Sequence, residues 1–315
     1  MIKKQHVGRW LVIGAGGFIG SSLCRKLTKE GEIVTAFGRK PKFPEGLEDC
    51  RWIVDDFLNE KALSNAMEEA EFVVHALSTV KPAKSNESPI IDVKENLIGT
   101  LKLIELCKAK GVKKLIFLSS GGTVYGPGVP VPTPEDCAHE PICSYGVVKL
   151  AIEKYLAIQQ YQGLLDSVVL RVSNPYGPYQ LAHGQGVIAA VIERLLANKP
   201  AEIWGDGSVI RDYIFIDDVI DAIIAATQLV DHHAPRIFNI GSGVGRSLNM
   251  VIDSIAEIHG KADIQRLPGR IVDVPVSILD IQRANRVLHW HPRTDWMNGL
   301  ATAYEWQKQV RLSKS

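Results

Sequence analysis

The feature that most constrains this chain is a glycine loop, GAGGFIG at 14–20. It lies directly after an apolar run, Arg9–Ile13, and directly before an amphipathic stretch. Gly14, Gly17 and Gly20 are spaced GxxGxxG. The early glycines permit a tight turn and let the backbone approach a pyrophosphate. The last lets a helix pack closely on a strand, and the helix N-terminus offers N–H groups and a favourable dipole to the anion. The strand–turn–helix context is what turns a bare glycine triplet into a dinucleotide-binding loop.

The rest of the first half agrees with that loop. Arg9–Ile13, Ile33–Phe37, Phe72–Leu77, Leu115–Leu118 and Val168–Val172 predict strands, apolar along their length as strands buried on both faces of a parallel sheet must be. Helical patterns fall between them at about 18–30, 60–70, 95–110 and 145–160. The alternation predicts an α/β fold, a doubly wound parallel sheet of the Rossmann kind. Beyond 174 the rhythm loosens, with helices expected at 186–197, 217–229 and 247–258 and strands near 201–204 and 236–240. The 315 residues leave room for a dinucleotide-binding domain over 1–173 and a smaller, mainly substrate-binding domain over 174–315, whose chain partly returns to the first.

Composition narrows the functional classes. Lys and Arg number 36 against 35 Asp and Glu, without the basic excess of a nucleic-acid-binding surface. No run of 18 apolar residues suits a membrane span. The opening MIKKQHVGRWLVIG breaks at once into the glycine loop and predicts a first strand rather than a signal peptide. The five cysteines, Cys24, Cys50, Cys107, Cys137 and Cys143, form no CxxC pair, which predicts reduced thiols in a cytoplasmic enzyme with no metal site.

At the end of the second strand an acidic residue would bind the adenosine ribose and favour NAD. Here that place holds Gly38, followed by Arg39, a pair that admits a 2′-phosphate and hence NADP; the alternative is an Arg39 that stacks on adenine or faces water. Asp56 and Phe57, after the third strand, are candidate adenine contacts, with Asp55 as the rival to Asp56.

Three segments carry the chemistry: LSSGGTVYG at 118–126, SYGVVK at 144–149 and RVSNPYGP at 171–178. Tyr145 and Lys149 lie four apart on a predicted helix, hence on one face. A free tyrosine, with a pKa of about 10, is a poor base at neutral pH. A nearby ammonium and a positive nicotinamide both favour phenolate, and such a tyrosine can take a hydroxyl proton as hydride leaves the same carbon.

With these segments in view, the chain resembles the extended short-chain dehydrogenases/reductases of the NAD-dependent epimerase/dehydratase family that act on nucleotide sugars, most closely UDP-glucose 4-epimerases. The likeness spans nearly the whole chain. It runs through GAGGFIG, HALS at 75–78, NLIGT at 96–100, SSGGTVYG, YGVVK, SNPYGP, GDGSVIRDYIFIDDV at 205–219, PGRIVDVP at 268–275 and HWHP at 289–292. The resemblance implies a catalytic Tyr145 and Lys149, and it adds Phe18, Ile19, Leu77 and Asn96 to the cofactor contacts. On the substrate side it implies Arg211 and Arg270 on a diphosphate, which the planar guanidinium suits through paired charge-assisted hydrogen bonds. Asn174 and Thr79 would lie near the phosphate or sugar, Val187 near the base, and Asp273 would orient Arg270 or reach the ribose. Ser277 would stand beside the sugar C2 substituent, where a small side chain leaves room for an N-acetyl group.

The sequence departs from the family at Gly121, where a catalytic Ser or Thr is usual. Thr123 is expected to supply the hydroxyl for the sugar O4, with Ser120 as alternate. The implied reaction is 4-epimerisation of a nucleotide sugar through a transient 4-keto sugar. The rivals are an NADPH-dependent 4-keto-sugar reductase and a non-catalytic dinucleotide-binding module. Glu95–Lys110 and Ser144–Gln160 carry apolar residues beyond what one sheet face needs. In the family such helices form a four-helix seam, so a homodimer is expected.

Overall fold

The computed structural model describes residues 7–39, 46–80, 82–181, 186–268 and 274–313. Arg270 and Asp273 lie outside the described residues.

Strands β1 (Arg9–Ile13), β2 (Ile33–Gly38), β3 (Arg51–Val54), β4 (Phe72–His75), β5 (Lys114–Ser120) and β6 (Ser167–Val172) alternate with helices. These are α1 (Phe18–Lys29), α2 (Glu60–Ala66), α3 (Pro89–Asp92), α4 (Gly99–Lys110) and α5 (Ser144–Tyr161). The later elements are β7 (Asn174–Tyr176), α6 (Val187–Leu196), β8 (Ala201–Trp204), β9 (Ile210–Phe215), α7 (Ile216–Thr227), β10 (Ile237–Ile240), β11 (Gly245–Ser247), α8 (Leu248–His259), β12 (Ile264–Leu267), β13 (Val276–Ser277), α9 (Gln282–Leu288) and α10 (Trp296–Leu312).

Seven strands form one parallel sheet in the order β3-β2-β1-β4-β5-β6-β10. The chain order reverses direction at β1, between β2 and β4. That reversal is the topological switch point of doubly wound sheets, where ligands bind outside the carboxyl ends of the strands. The sheet is built as its apolar strands require: β5 and β6 are buried along almost their whole length. Leu11, Ile13, Phe37, Leu63, Val73, Leu103, Leu115, Phe117 and Ile152 join one core. Helix boundaries follow local chemistry. The Asn59 side chain accepts the Ala62 N–H at the start of α2, and α4 ends on Gly111 in the left-handed region at φ 66°.

Two differences from the sequence pattern matter below. The single helix expected over 95–110 is a composite, in which α3 runs into a π-helical turn at Val93–Ile98 and then into α4. The region 205–219 holds strand β9, which the loosened apolar rhythm does not announce.

The chain gathers into two compact units. One comprises the chain up to Tyr125 with His139–Arg171 and Ile223–Phe238; the other comprises Gly126–Ala138, Val172–Ala222 and the chain from Asn239 onward. The expected boundary at 173 compares with Val172 here, and the returning segment is Ile223–Phe238. The excursion of Gly126–Ala138 has no counterpart in the sequence pattern. The second unit holds a small sheet ordered β11-β9-β13 with β7 also paired to β9, and a two-stranded ribbon of β8 and β12.

Candidate active site

In the first unit, the glycine loop has the form its spacing predicts. Gly14 has φ +85°, and a Cβ there would fall 2.9 Å from the backbone of Ala76 and Leu77. A Cβ on Gly20 would fall 2.3 Å from the Gly14 carbonyl oxygen. Only glycine lets α1 start this close to β1 and β4. Gly17 caps α1 with no side-chain acceptor on its first N–H groups, and such a terminus is disposed to hold an anion. Phe18 and Ile19 form the first turn of that helix, and Leu77 follows β4 on the other side of the loop.

At the end of β2, Gly38 gives way to Arg39, whose Nη1 stands 3.8 Å from the Asp56 carboxylate, both side chains being largely exposed. A carboxylate therefore accompanies Arg39 after all, supplied from beyond β3 rather than from β2, and it disfavours an added 2′-phosphate. Asp55 is engaged locally, accepting the Asp56 N–H at 2.7 Å and the Asn59 amide at 3.0 Å. At Phe57 an adenine contact would have to come from the backbone rather than the side chain. It is buried, its ring 5.1 Å from that of His75 and against Gly99, where an added Cβ would fall 2.7 Å away.

Helix α5 carries the candidate pair, Tyr145 and Lys149. It buries Gly146, Val148, Lys149, Ile152, Glu153 and Leu156, a stripe at helical spacing. The buried Lys149 donates from Nζ to the Leu118 carbonyl at 2.7 Å and lies 5.6 Å from the Tyr145 ring centre. Burial lowers the Lys149 ammonium to about 8, with Glu153 and Asp92 opposing that fall. Tyr145 is half-buried, and burial pushes its phenol above its ordinary value, with the Asp92 and Cys143 charges adding to the rise. The expected tuning combines the Lys149 ammonium with a positive nicotinamide, and burial works against it.

Gly146 explains how α5 reaches the turn after β5. A Cβ there would fall 2.4 Å from the Thr123 carbonyl oxygen and 2.8 Å from Pro141. Close approach of helix and turn brings Thr123 beside the start of α5, and the Thr123 Oγ1 is buried with no hydrogen-bond partner. Buried hydroxyls are ordinarily paired, so this one is poised for a bound molecule. Gly122, by contrast, faces open space. Ser120 contributes its carbonyl, accepting the Thr123 and Val124 N–H groups at 3.3 Å each. Its neighbour Ser119 is committed elsewhere, donating to Glu153 at 2.5 Å.

Glu153, one turn beyond Lys149, also accepts from Arg171 Nη2 at 2.6 Å, and Arg171 Nη1 donates to the Tyr125 hydroxyl at 2.9 Å. Both charged groups are buried, and each satisfies the other. The pair ties α5, β5, β6 and the Val124–Tyr125 turn together. Asn96, in the π-helical turn, accepts the Thr79 N–H at 3.0 Å and donates to Asp92 at 2.8 Å. Thr79 leaves its own Oγ1 buried without a partner. The orphaned hydroxyls of Thr79 and Thr123 and the glycine cradle fit a bound dinucleotide and a hydroxylated ligand.

In the second unit the small sheet collects residues from distant parts of the sequence. On β9, Arg211 is registered against Ser277 of β13 on one side and Arg246 of β11 on the other. Asn174 of β7 is registered against Tyr213. Directly paired residues share a sheet face, as do residues two apart along a strand. Asn174, Arg211 and Ser277 are thus brought to one face. Arg211 donates from Nη1 to the Val274 carbonyl at 2.7 Å, and the Asn174 amide donates to the Asp212 carbonyl at 2.9 Å. Val187 opens α6 immediately after Gly186.

The buried Asp212 pins this sheet by accepting the Ser242 N–H at 2.7 Å, the Gly243 N–H at 3.2 Å and the Leu279 N–H at 3.3 Å. Arg246, which motif reading misses, packs its guanidinium 4.2 Å from the Trp296 ring centre and leaves Nη1 buried without a partner. Only strand register places it opposite Arg211. Asp92 and Glu153 were likewise missed. The sole sequence signal for Glu153 is its place in the 145–149–153 helical row.

Comparison with known proteins places the chain. The model of the family described as NAD dependent epimerase/dehydratase matches residues 10–241. The UDP-glucose 4-epimerase of Mycolicibacterium smegmatis is 34% identical over 307 residues, covering 94% of this chain and 97% of its own length. The crystal structure of the UDP-glucose 4-epimerase of Thermotoga maritima with UDP-glucose superposes with a TM-score of 0.90 at 34% identity, over 96% of this chain and 99% of that one. The Thermus thermophilus UDP-glucose 4-epimerase in complex with NAD gives a TM-score of 0.85 at 30% identity, over 95% and 98%.

Proposed function

The chain belongs to the NAD dependent epimerase/dehydratase family, and from that premise we propose that it is an NAD-dependent 4-epimerase of UDP-linked hexoses. The observation that carries the reading is the junction of α5 with the turn after β5. There Tyr145 and Lys149 share one helical face and the Thr123 hydroxyl is buried beside them without a partner.

Gly14, Gly17, Gly20 and the first turn of α1 would hold the pyrophosphate, with Asp56 and Arg39 toward the adenosine. Held there, NAD would supply the reversible hydride acceptor that inversion at the sugar C4 requires. Tyr145 takes the O4 proton and gives it back. Lys149, held by the Leu118 carbonyl, supplies a fixed ammonium beside it. Thr123 donates to O4, the role that Gly121 cannot fill, and Ser120 is its alternate. Arg211 and Asn174, with Arg270 and Asp273, hold the diphosphate and ribose, and Val187 lies toward the base. The proton is thereby handled on a rigid helix while the sugar stays free to turn over between hydride removal and return.

Ser277, small and registered against Arg211, supports tolerance of an N-acetyl group at C2. A second copy of the chain is the proposed partner. Val147, Tyr155 and Ile158 stand exposed along one side of α5, and Ile90, Ile91 and Ile98 are exposed on the helices packed against it. Among the described residues no helix is long and apolar enough to cross a membrane.

The deciding experiment is mass spectrometry of the cofactor carried by the purified protein, followed by conversion of UDP-glucose to UDP-galactose with no cofactor added. Co-purified NAD and epimer formation support the reading. A requirement for stoichiometric NADPH and a 4-keto sugar would replace it with the reductase. Absence of UDP-GlcNAc turnover would remove the role given to Ser277, and a monomer mass by light scattering would remove the dimer.

A further inference from the structure

Asp92, the last residue of α3, is fully buried. Its carboxylate accepts hydrogen bonds from two neutral donors, Asn96 Nδ2 at 2.8 Å and Ser144 Oγ at 2.9 Å. Among the described residues no Lys, Arg or His forms an ion pair with it. A buried carboxylate with no cation in direct contact is costly, and one kept at a junction calls for a reason. The two donors sit at telling places. Ser144 immediately precedes Tyr145 and opens α5, and its N–H is itself fixed by Asn86 Oδ1 at 2.8 Å. Asn96 lies in the π-helical turn and holds the Thr79 N–H at 3.0 Å; π-helical turns inside helices recur at functional sites.

We propose that Asp92 is a positioning and charge-setting residue for the Tyr145–Lys149 pair. Through Ser144 it fixes the start of the reacting helix. Through Asn96 it fixes the Thr79 turn after β4, and its carboxylate supplies a buried negative charge beside the pair. The inference rests on the role given above to Tyr145 and Lys149. Its consequence is a Tyr145 phenol that is harder to ionise than it would be beside a neutral residue.

The charged groups around the pair are consistent with this. Tyr145 feels Asp92 from α3 and Cys143 from the segment before α5, and both raise its phenol. Lys149 feels Asp92 and Glu153, the latter paired with Arg171, and His75 of β4 feels Lys149.

The test is Asp92→Asn in the cofactor-loaded protein. The phenolate ultraviolet band of Tyr145, taken as the difference from the matching Tyr145→Phe protein, should titrate about 1 pH unit lower than without the substitution. The acid limb of kcat should fall in parallel. An unmoved midpoint and limb, even with reduced turnover, would overturn the charge-setting role. The band needs no sugar, so this result stands apart from whether UDP-hexoses are the substrates. Should Asp92→Asn not fold, Ser144→Ala keeps the carboxylate and cuts its tie to α5. A fall in kcat of about 3- to 10-fold with the phenolate midpoint unmoved supports the positioning role, and an unchanged kcat overturns it.

Discussion

The two compact units treat their candidate residues in opposite ways. In the first, several side chains around the candidate pair are locked by buried partners. Lys149 is held by a carbonyl, Glu153 by Arg171 and Ser119, and Asn96 by Thr79 and Asp92. In the second, Asn174, Arg211, Arg246 and Ser277 come from four short strands, and none of them is fully buried. The difference matches the two proposed tasks. Proton transfer needs fixed geometry and controlled charge, whereas holding an anion needs donors on one surface and tolerates a more open setting. Changes in the first unit should therefore strike turnover, and changes in the second should strike affinity.

The largest effect is expected from Tyr145→Phe. Turnover should drop by about 10²- to 10⁴-fold while the protein retains its cofactor, read by absorbance and mass spectrometry; near-normal turnover would break the contrast at its strongest point. Next comes the titration of Lys149. Its folded value is about 8 against an ordinary 10.5, so between those pH values the unfolded chain holds a proton that the folded chain has released. Stability tied to this group therefore rises with pH across that window, by on the order of 3 kcal/mol, and is constant below and above it. Urea midpoints of the protein and of Lys149→Met should move relative to one another between pH 8 and 10.5; parallel curves would show that the ammonium is not desolvated.

Arg211→Ala should raise KM for a UDP-hexose by about 10- to 100-fold, the loss of a hydrogen bond to a charged group, with a smaller change in kcat. An effect confined to kcat would erase the division between the units. Thr123→Val should lower kcat by about 10-fold with little change in fold, because its Oγ1 has no internal partner to lose. Ser120→Ala should change kcat by less than about 2-fold, and the reverse ranking would exchange the two hydroxyls.

Much of the first unit was legible because its signals are local. β1 coincides with the predicted run, α1 begins at Phe18, and the 145–149 spacing becomes a helical face. What escaped was non-local. Asp92 is an ordinary acidic residue in sequence, and only the fold of α3 onto the start of α5 makes it a buried charge beside the pair. The same holds for Asp56, whose approach to Arg39 across the ends of β2 and β3 weakens the NADP reading that Gly38 and Arg39 invited. In the second unit Arg211 stands in a recognisable motif, whereas the placement of Arg246 and the keystone Asp212 depends on strand register, which short strands with mixed patterns do not encode.

The sequence by itself determined the doubly wound sheet, the glycine cradle and the Tyr145–Lys149 pair, because each follows from periodicity or spacing within a few residues. Tertiary structure alone decided which hydroxyl near Gly121 is left unpaired, which carboxylate bears on the phenol and which arginine faces Arg211. Those outcomes depend on burial and on contacts between segments tens of residues apart, where the cost of desolvating a charge or stranding a donor is set by the assembled neighbourhood.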